Sequence, residues 1–526
     1  MMNRKQGFVL LSGSLLLAST VYACSSSSSK NTPPPVNEAG VDGTSSGSSG
    51  SSGGSGGSSG SSGGSGSSSG GTSYNCSPDS GSPPACSSLP GTVVYIESGD
   101  TQEPLLKALG RKLRDDANIT IAFELTGSCT LSPNLYSGTA IPKNSNFLYI
   151  PSTAECPSWT TADAELTCTT DPNNGTPPDL GISALFPGSC AGVSSTPPTG
   201  IGSWIGPIQA YTFIVPTPEY TGGQTSISAD EAYYAFGDGA ANTVTFNGNL
   251  EWNQPAQFFL RPSTKSTLVA TALNIGLTAK EMTAVGADGG TTDGRNLEAT
   301  STEVLTAIEN GANLTQAIGI LGDEVYDANR GKGASVLAFQ AFDESAAYYP
   351  DSTTSSFDKQ NIRDGHYTLW SPTVYIAPVN GSGVPSNPAV KYITDLVLGN
   401  PGATPPNGLV DGGTAIDGLG EIVSVGLTPS CAMQVTRTGD GAPVTQLSTP
   451  PASPCTCYFL SKVPGGATLP ASCTTCTSSS SCSGGLGCFN GYCEVANPVG
   501  VTATAVTKTN LNIPLEADGG LEPLTP

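Results

Sequence analysis

Residues 92–125 read TVVYIESGDTQEPLLKALGRKLRDDANITIAFEL, and this stretch decides the fold class. It opens on a short β-branched apolar run, Thr92 to Ile96, of the kind that packs well on a pleated surface and so predicts a strand. From Gln102 to Asp116 the side chains Leu105, Leu109 and Leu113 recur at i, i+4 and i+8, with Lys107, Arg111 and Arg114 on the other faces. That spacing predicts an amphipathic helix. Ile119 to Leu125 is a second strand. Strand, helix and strand in so short a span imply parallel pairing through a right-handed crossover.

Working outward, the alternation continues. Asp179 to Ser183 predicts a strand ending in a polar turn, and a block of four cysteines is carried between it and Leu125. Ala210 to Val215 predicts a strand stopped by Pro216. Gln257 to Arg261 predicts a strand leading into a helix from Lys265 to Ile275. A helix over Leu297 to Glu309 and strands at Ala317 to Leu321 and Val374 to Ala377 come next, then a helix over Ala389 to Leu398. Strands that alternate with helices predict an α/β fold with parallel pairing.

The first residues carry a different signal. Arg4 and Lys5 are a basic start, Phe8 to Ala18 an apolar core, and Val21-Tyr22-Ala23-Cys24 a small-residue cleavage site. This block resembles a lipobox, which implies that Cys24 becomes the first residue of the processed chain and carries lipid. An ordinary secretory signal is the rival. A transmembrane anchor needs ~20 apolar residues, and this core is shorter. Asn31 to Thr72 is rich in Ser, Gly and Pro and cannot bury enough apolar surface to offset its chain entropy, so it is expected to be a coil spanning roughly 40 Å. Its Gly-Ser-Gly strings imitate a hydrolase nucleophile motif, but no strand or helix flanks them.

Composition narrows the function. The chain has 526 residues and a formal net charge of -22, which disfavours nucleic acid and anionic lipid as partners. No second apolar stretch is long enough to span a bilayer. Of 15 cysteines, Cys24 is assigned to the lipid. The rest fall into even blocks: Cys76 and Cys86; Cys129, Cys156, Cys168 and Cys190; and Cys431, Cys455, Cys457, Cys473, Cys476, Cys482, Cys488 and Cys493. Even counts in an exported chain read as disulfides, with pairing inside blocks as the working expectation. Zinc at Cys473-x-x-Cys476 is the rival reading, with no histidine nearby to support it.

The order of segments from Val93 to Leu398 resembles the periplasmic phosphate-binding proteins of ABC importers. The residues that carry this are Ser98-Gly99-Asp100-Thr101-Gln102-Glu103-Pro104 after the first strand, Gly127-Ser128-Cys129 after the second, and Asp179-Leu180-Gly181-Ile182-Ser183-Ala184. Arg261 follows with Ser263-Thr264-Lys265-Ser266-Thr267, then Ala317-Ile318-Gly319-Ile320 and Arg363-Asp364-Gly365-His366-Tyr367-Thr368-Leu369. The resemblance implies a two-lobed, type II periplasmic-binding-protein-like fold. It also implies a small phosphate-like anion as ligand and an ABC permease as partner, with no cofactor and no catalytic residue. Its implied ligand-binding residues are Thr101, Ser128, Ser183, Arg261, Ser266 and Thr267. Helix N-termini, hydroxyls and one arginine would hold an oxyanion without a counter-ion. The competing reading of the hydroxyls is helix capping. The chain departs from the family at Gly99 and Asp100, where the family has hydroxyls, and at Ala184, where it has a carboxylate. Asp100 could substitute for that carboxylate by accepting a proton from the ligand. Alternatively the fold has lost its ligand and acts as a surface interaction or scaffold protein.

Catalytic readings have less to stand on. His366 is the single histidine, so a two-histidine metal site is excluded and a Ser-His-Asp triad would have to use it; an exposed turn is the expected setting. Asp288, Asp293 and Gly294 do not fit the spacing of an EF-hand and read as a solvated acidic turn. From Cys473 the spacing resembles small Dickkopf-like cysteine-rich modules, in which cross-links replace a core and Phe489 and Tyr492 pack around the bridges. The expected organisation is a signal peptide over 1–23, a tether over 24–73, a two-lobed domain over 74–425, a cysteine-rich module over 426–496 and an extended tail over 497–526.

Overall fold

A computed structural model describes residues 82–237, 254–284, 293–311, 316–342, 344–406 and 415–495, with Cys76, Trp252, Gly290 and Thr291. The expected signal peptide, Cys24, the tether, Asp288 and the tail lie outside the described residues.

The deciding stretch folds as β1 (Thr92–Ser98), α1 (Glu103–Asp116) and β2 (Ile119–Leu125). The strands pair in parallel from Thr92 opposite Ile119 to Ser98 opposite Leu125. α1 carries Pro104 in its first turn, where a missing N–H costs little, and buries Leu105, Leu106, Leu109 and Leu113. Then α2 (Ser128–Ser137), β3 (Asn146–Tyr149) and β4 (Leu166–Thr169) form an excursion that returns as β5 (Leu180–Ser183), parallel to β1 on its other side. The chain continues through β6 (Ile201–Pro216), α3 (Thr217–Thr221), β7 (Ser226–Ser228), α4 (Ala229–Gly237), β8 (Phe258–Leu260) and α5 (Ser266–Asn274). Next come α6 (Ala279–Thr283), β9 (Asn296–Leu297), α7 (Ser301–Glu309), β10 (Ile318–Gly322) and α8 (Asp323–Asp327). After β11 (Ala334–Val336), β12 (Ala338–Gln340) and α9 (Gln360–Asp364) the chain crosses back in β13 (Trp370–Pro378) and adds α10 (Pro388–Val397) and α11 (Gly418–Ser424). It ends with β14 (Val435–Thr436), β15 (Thr445–Gln446), α12 (Thr456–Lys462), β16 (Gly487–Phe489) and β17 (Tyr492–Glu494).

The main sheet has the order β4-β3-β2-β1-β5-β13-β6-β10-β8-β9, with β11 on the end of β6. It contains two parallel trios, β2-β1-β5 and β9-β8-β10; antiparallel strands border the first on both sides, β3 beside β2 and β13 beside β5, and β6 runs antiparallel beside β10. β6 and β13 run against each other from Ala210 opposite Trp370 to Ile201 opposite Pro378. The chain therefore passes from one trio to the other along two long strands, and the fold is α/β and two-lobed, as expected. The first lobe packs around Ile96, Leu109, Phe123, Phe147, Ile182 and Ile393. The second packs around Phe213, Phe236, Phe258, Ile318, Phe339 and Trp370.

Two boundaries moved for physical reasons. The strand expected at Ala210 begins at Ile201, because its first half is partly exposed and interrupted by Gly202, Gly206 and Pro207, which hides it from apolar periodicity. The helix expected from Leu297 begins at Ser301. Thr300 and Glu303 form a capping box: the Glu303 N–H donates to Thr300 Oγ1 at 3.1 Å and the Thr300 N–H to the Glu303 carboxylate at 2.8 Å.

The disulfides correct the block rule. Cys76 pairs with Cys156 and Cys86 with Cys168, joining the first two blocks, while Cys129–Cys190 stays within the second. The cause is a β-bridge between Ala85 and Thr169, with the Thr169 N–H donating to the Pro84 carbonyl at 2.8 Å, which lays the entering chain along β4. The last block pairs internally as Cys431–Cys455, Cys457–Cys473, Cys476–Cys488 and Cys482–Cys493. Cys473 and Cys476 thus belong to different bridges, and zinc at that pair is excluded. Cys431, Cys455, Phe459 and Val463 join the first-lobe core. β16 and β17 form the small cross-linked hairpin, with Phe489 opposite Tyr492. The Glu494 carboxylate docks it by accepting the Thr456 and Cys457 N–H groups at 3.0 and 3.1 Å, at the start of α12.

Candidate ligand-binding site

β1, β2 and β8 each deliver their C-terminal end toward a helix start. β1 ends at Ser98 and is followed by Gly99, Asp100, Thr101 and Gln102 before α1. β2 leads through Gly127 into α2 and Ser128. β8 leads through Arg261 and Lys265 into α5, whose first residues are Ser266 and Thr267. All six implied residues are buried: Thr101 is 6 % exposed, and Ser128, Ser183, Arg261, Ser266 and Thr267 are 2 % or less. The two lobes meet here. A Cβ placed on Gly127 would lie 3.8 Å from the Thr264 carbonyl of the opposite lobe.

Arg261 is the centre of the contact. Its guanidinium donates to Ser301 Oγ at 2.8 Å, to the Ala299 carbonyl at 2.7 Å and to the Glu298 carbonyl at 3.2 Å. It also makes a short ion pair with Asp100 of the first lobe. Lys265 Nζ stands 3.4 Å from the same carboxylate oxygen. Two cations face one carboxylate, so one positive charge is left over at the centre of the cleft.

The hydroxyls divide into two groups. Ser128 Oγ accepts the Ala184 N–H at 2.9 Å, and Ser183 Oγ donates to the Leu185 carbonyl at 2.8 Å while accepting its N–H at 3.2 Å. Both hold turns of the first lobe. Gly99 belongs with them, because a Cβ there would press on Ser128 Oγ at 3.1 Å. In contrast, Thr101 Oγ1 and Thr267 Oγ1 are buried without a hydrogen-bond partner among the described residues. Ser266 lies beside the Tyr211 hydroxyl, which donates to the Ala184 carbonyl at 2.8 Å. Neither α1 nor α5 has a side-chain N-cap, so capping does not account for Thr101, Ser266 or Thr267.

Several groups around the cleft carried no sequence signal. Gln102 donates to Gln209 Oε1 at 3.1 Å, and Gln209 on β6 donates in turn to Glu324 at the start of α8. Burial, then the charges of Asp323 and Asp327, push the Glu324 carboxyl up to about 8. Asp440 accepts the Phe186 N–H at 3.0 Å and the Ser371 hydroxyl, and burial raises its carboxyl. These residues sit in segments far apart in the chain, and their signal is only their meeting in space.

His366 departs from its expected exposed turn. Its ring stacks on Tyr348 at 4.5 Å and its Nδ1 stands 3.6 Å from Glu344, with its side chain only 11 % exposed. Neither ring nitrogen has a hydrogen-bond partner among the described residues, and only the His366 backbone N–H reaches an aspartate, Asp364 at 3.3 Å, so no triad forms. Asp293 is paired to Arg295 at 2.5 Å and is not a free solvated ligand. No helix among the described residues is long and apolar enough to cross a membrane.

No protein-family model matches the chain, and no curated protein matches it. Solved structures overlap it loosely. A Clostridium perfringens protein described as a phosphate ABC transporter substrate-binding protein with bound phosphate is 10% identical, with a TM-score of 0.37, over 64% of this chain and 99% of its own. An ABC-type phosphate transport receptor from Vibrio cholerae is 12% identical, with a TM-score of 0.34, over 55% of this chain and 88% of its own. The OxyR regulatory domain from Pseudomonas aeruginosa is 8% identical, with a TM-score of 0.28, over 55% of this chain and 90% of its own. These overlaps join transport receptors to a regulator and carry no ligand over; the fold stands on the strand order above.

Proposed function

We propose that the protein is a lipid-anchored, extracytoplasmic solute-binding protein that holds a small, protonated, phosphate-like oxyanion between its lobes and passes it to a membrane permease. The observation that carries this reading is the charge balance at the cleft. Arg261 and Lys265 against Asp100 leave one positive charge in a chain of net charge -22. Beside them, Thr101 and Thr267 keep buried hydroxyls unpartnered. An anion entering there gains a charge-assisted pair and satisfies hydroxyls that otherwise cost desolvation energy. Asp100 then accepts a hydrogen bond only from an anion that still carries a proton. Phosphate near neutral pH does; sulfate does not.

Titration with phosphate and sulfate at equal ionic strength tests this. Phosphate is expected to bind at least tenfold tighter and, at 100 times its dissociation constant, to add about 2.7 kcal/mol of stability. Equal binding of the two would remove Asp100 as proton acceptor. Membrane retention is tested separately: Cys24→Ala should move the protein to the soluble fraction, and a variant that still pellets after salt washing would refute the anchor.

One observation favours a second reading. Arg261 is already engaged by a side-chain carboxylate, a hydroxyl and two carbonyls. If Asp100 occupies the anion position permanently, the fold is a locked scaffold. Absence of any thermal shift with phosphate, sulfate or molybdate would select it.

A further inference from the structure

The first lobe's α11 and α12 and the second lobe's α8 enclose a cavity of about 790 Å³ that none of the six candidate residues lines. Its apolar walls are Phe459 from α12, Val463 just after it, Val425 just after α11, and Phe357 ahead of α9. Its polar end is Glu324 and Asp327 on α8, with the Lys359 ammonium beside them. Pockets of this size with apolar walls and a few converging polar groups suit a small organic molecule.

The charge at the polar end selects its kind. Behind Asp327 lie Asp323 and Asp351, and the cations among them are Lys359, at 2.6, 2.6 and 3.0 Å from Asp323, Asp327 and Asp351, and Arg330, at 2.5 and 2.6 Å from Asp327 and Asp351. Three carboxylates face two cations, and burial followed by Asp327 pushes the Asp323 carboxyl up to about 7, so the cluster places at most one negative charge next to the cavity. Glu324, 6 % exposed, adds a fourth carboxyl at the wall itself. Its carboxyl is pushed up to about 8, first by burial and then by Asp323 and Asp327. Burial keeps the proton on Glu324, and the charges of Asp323 and Asp327 add to it; an ammonium group reaching the wall would displace that proton and pair with the carboxylate it leaves.

We propose that this cavity is a second binding site, for an organic monocation whose apolar body lies against Phe357, Phe459 and Val463 and whose amine meets Glu324 and Asp327. The site spans the lobes and is tied to β6 through the Gln209–Glu324 hydrogen bond, so its occupant also bears on how the lobes are held.

Fluorescence titration of the full chain with dansyl-cadaverine, against dansylamide as the neutral and dansylglycine as the anionic comparator, tests the proposal. The amine is expected to bind at least tenfold tighter than either comparator. Glu324→Gln should cost the amine about tenfold or more and remove its advantage. Val425→Trp, which fills the cavity from a half-buried position, should abolish binding even if Glu324→Gln fails to fold. Equal or tighter binding of dansylamide or dansylglycine, or no binding of the amine by the folded protein, would overturn it.

Discussion

Asp100 meets Arg261 and Lys265 across the cleft, whereas Lys359 is held by Asp323, Asp327 and Asp351 inside one lobe. The residue types are the same and the settings differ. In the second-lobe cluster Lys359 and its three aspartates are 7 % exposed or less as side chains. Lys359 also sits in a left-handed backbone conformation at φ 45°, with its N–H donating to Asp351 at 2.7 Å. Such a conformation costs of order 1–3 kcal/mol and persists only where surrounding bonds over-determine it. Its ammonium fills the centre where the three carboxylates converge and holds them within the lobe, with Asp327 also facing the cavity beside Glu324. The cleft cluster is looser. Asp100 and Lys265 are 17% and 21% exposed as side chains, and their contact is 3.4 Å. Opening the lobes separates the partners without unfolding either core. A charge cluster closed within one lobe stabilises that lobe; one divided between lobes is available to a ligand.

The largest expected effect lies in the closed cluster. Lys359→Met leaves three buried carboxylates with Arg330 as their remaining cation, and breaking a buried pair by removing one partner costs about 3–5 kcal/mol. Urea unfolding measures it; a loss under 1 kcal/mol would mean that the cluster does not hold the lobe. The cleft pair should be weaker and asymmetric. Arg261→Met strands Asp100, Ser301 and two carbonyls and is expected to cost about 2–3 kcal/mol, with phosphate affinity falling ten- to a hundredfold at 1.4 kcal/mol per decade. Asp100→Asn keeps the shape, and should cost about 1 kcal/mol or less while raising affinity for sulfate. If Asp100→Asn destabilises as much as Lys359→Met, the contrast between the clusters fails.

The smallest expected effect is a pH slope in the first lobe. Glu97 on β1 stands opposite Glu124 on β2, and its carboxyl is pushed up from 4.5 to about 7, first by burial and then by Glu124, against a hydrogen bond from Asn134. The folded state therefore binds more protons than the unfolded state between about pH 4.5 and 7, and stability falls as pH rises through that window. Glu97→Gln should flatten the fall in melting temperature between roughly pH 5 and 8, by an amount on the order of 1 kcal/mol. Glu103, Asp323 and Glu324, whose carboxyls are raised as well, contribute to the remaining slope. An identical slope in the variant would show that Glu97 does not titrate there.

The legible parts of the fold were those whose signal is local. Leu105, Leu109 and Leu113 define α1 by their own spacing, and Ile119 to Leu125 bury five consecutive residues as β2. The first half of β6 was hidden, because a strand broken by Gly and Pro becomes a strand only when β13 pairs with it. At the site, Arg261 and the hydroxyls could be named as candidates, but their roles could not be sorted. Ser128 and Ser183 turn into first-lobe backbone, while Thr101 and Thr267 do not, and sequence gives no direction for a hydroxyl. Lys359, between Asp358 and Gln360, carried no pattern at all.

By itself, the amino-acid order determined the βαβ alternation and hence the α/β class, the even number of cysteines after Cys24, the acidity of the chain and the presence of one arginine at a strand end. These depend on periodicity and composition, which act over a few residues or over the whole chain. Only the tertiary structure decided that Cys76 and Cys86 reach Cys156 and Cys168, that Asp100 faces Arg261 across 161 positions, and that Glu324 meets the walls of a cavity built from both lobes. Each of these requires segments far apart in sequence to share one place. Closing such a loop carries an entropic cost that varies only slowly with its length, so spacing along the chain gives no sign of which distant groups will meet.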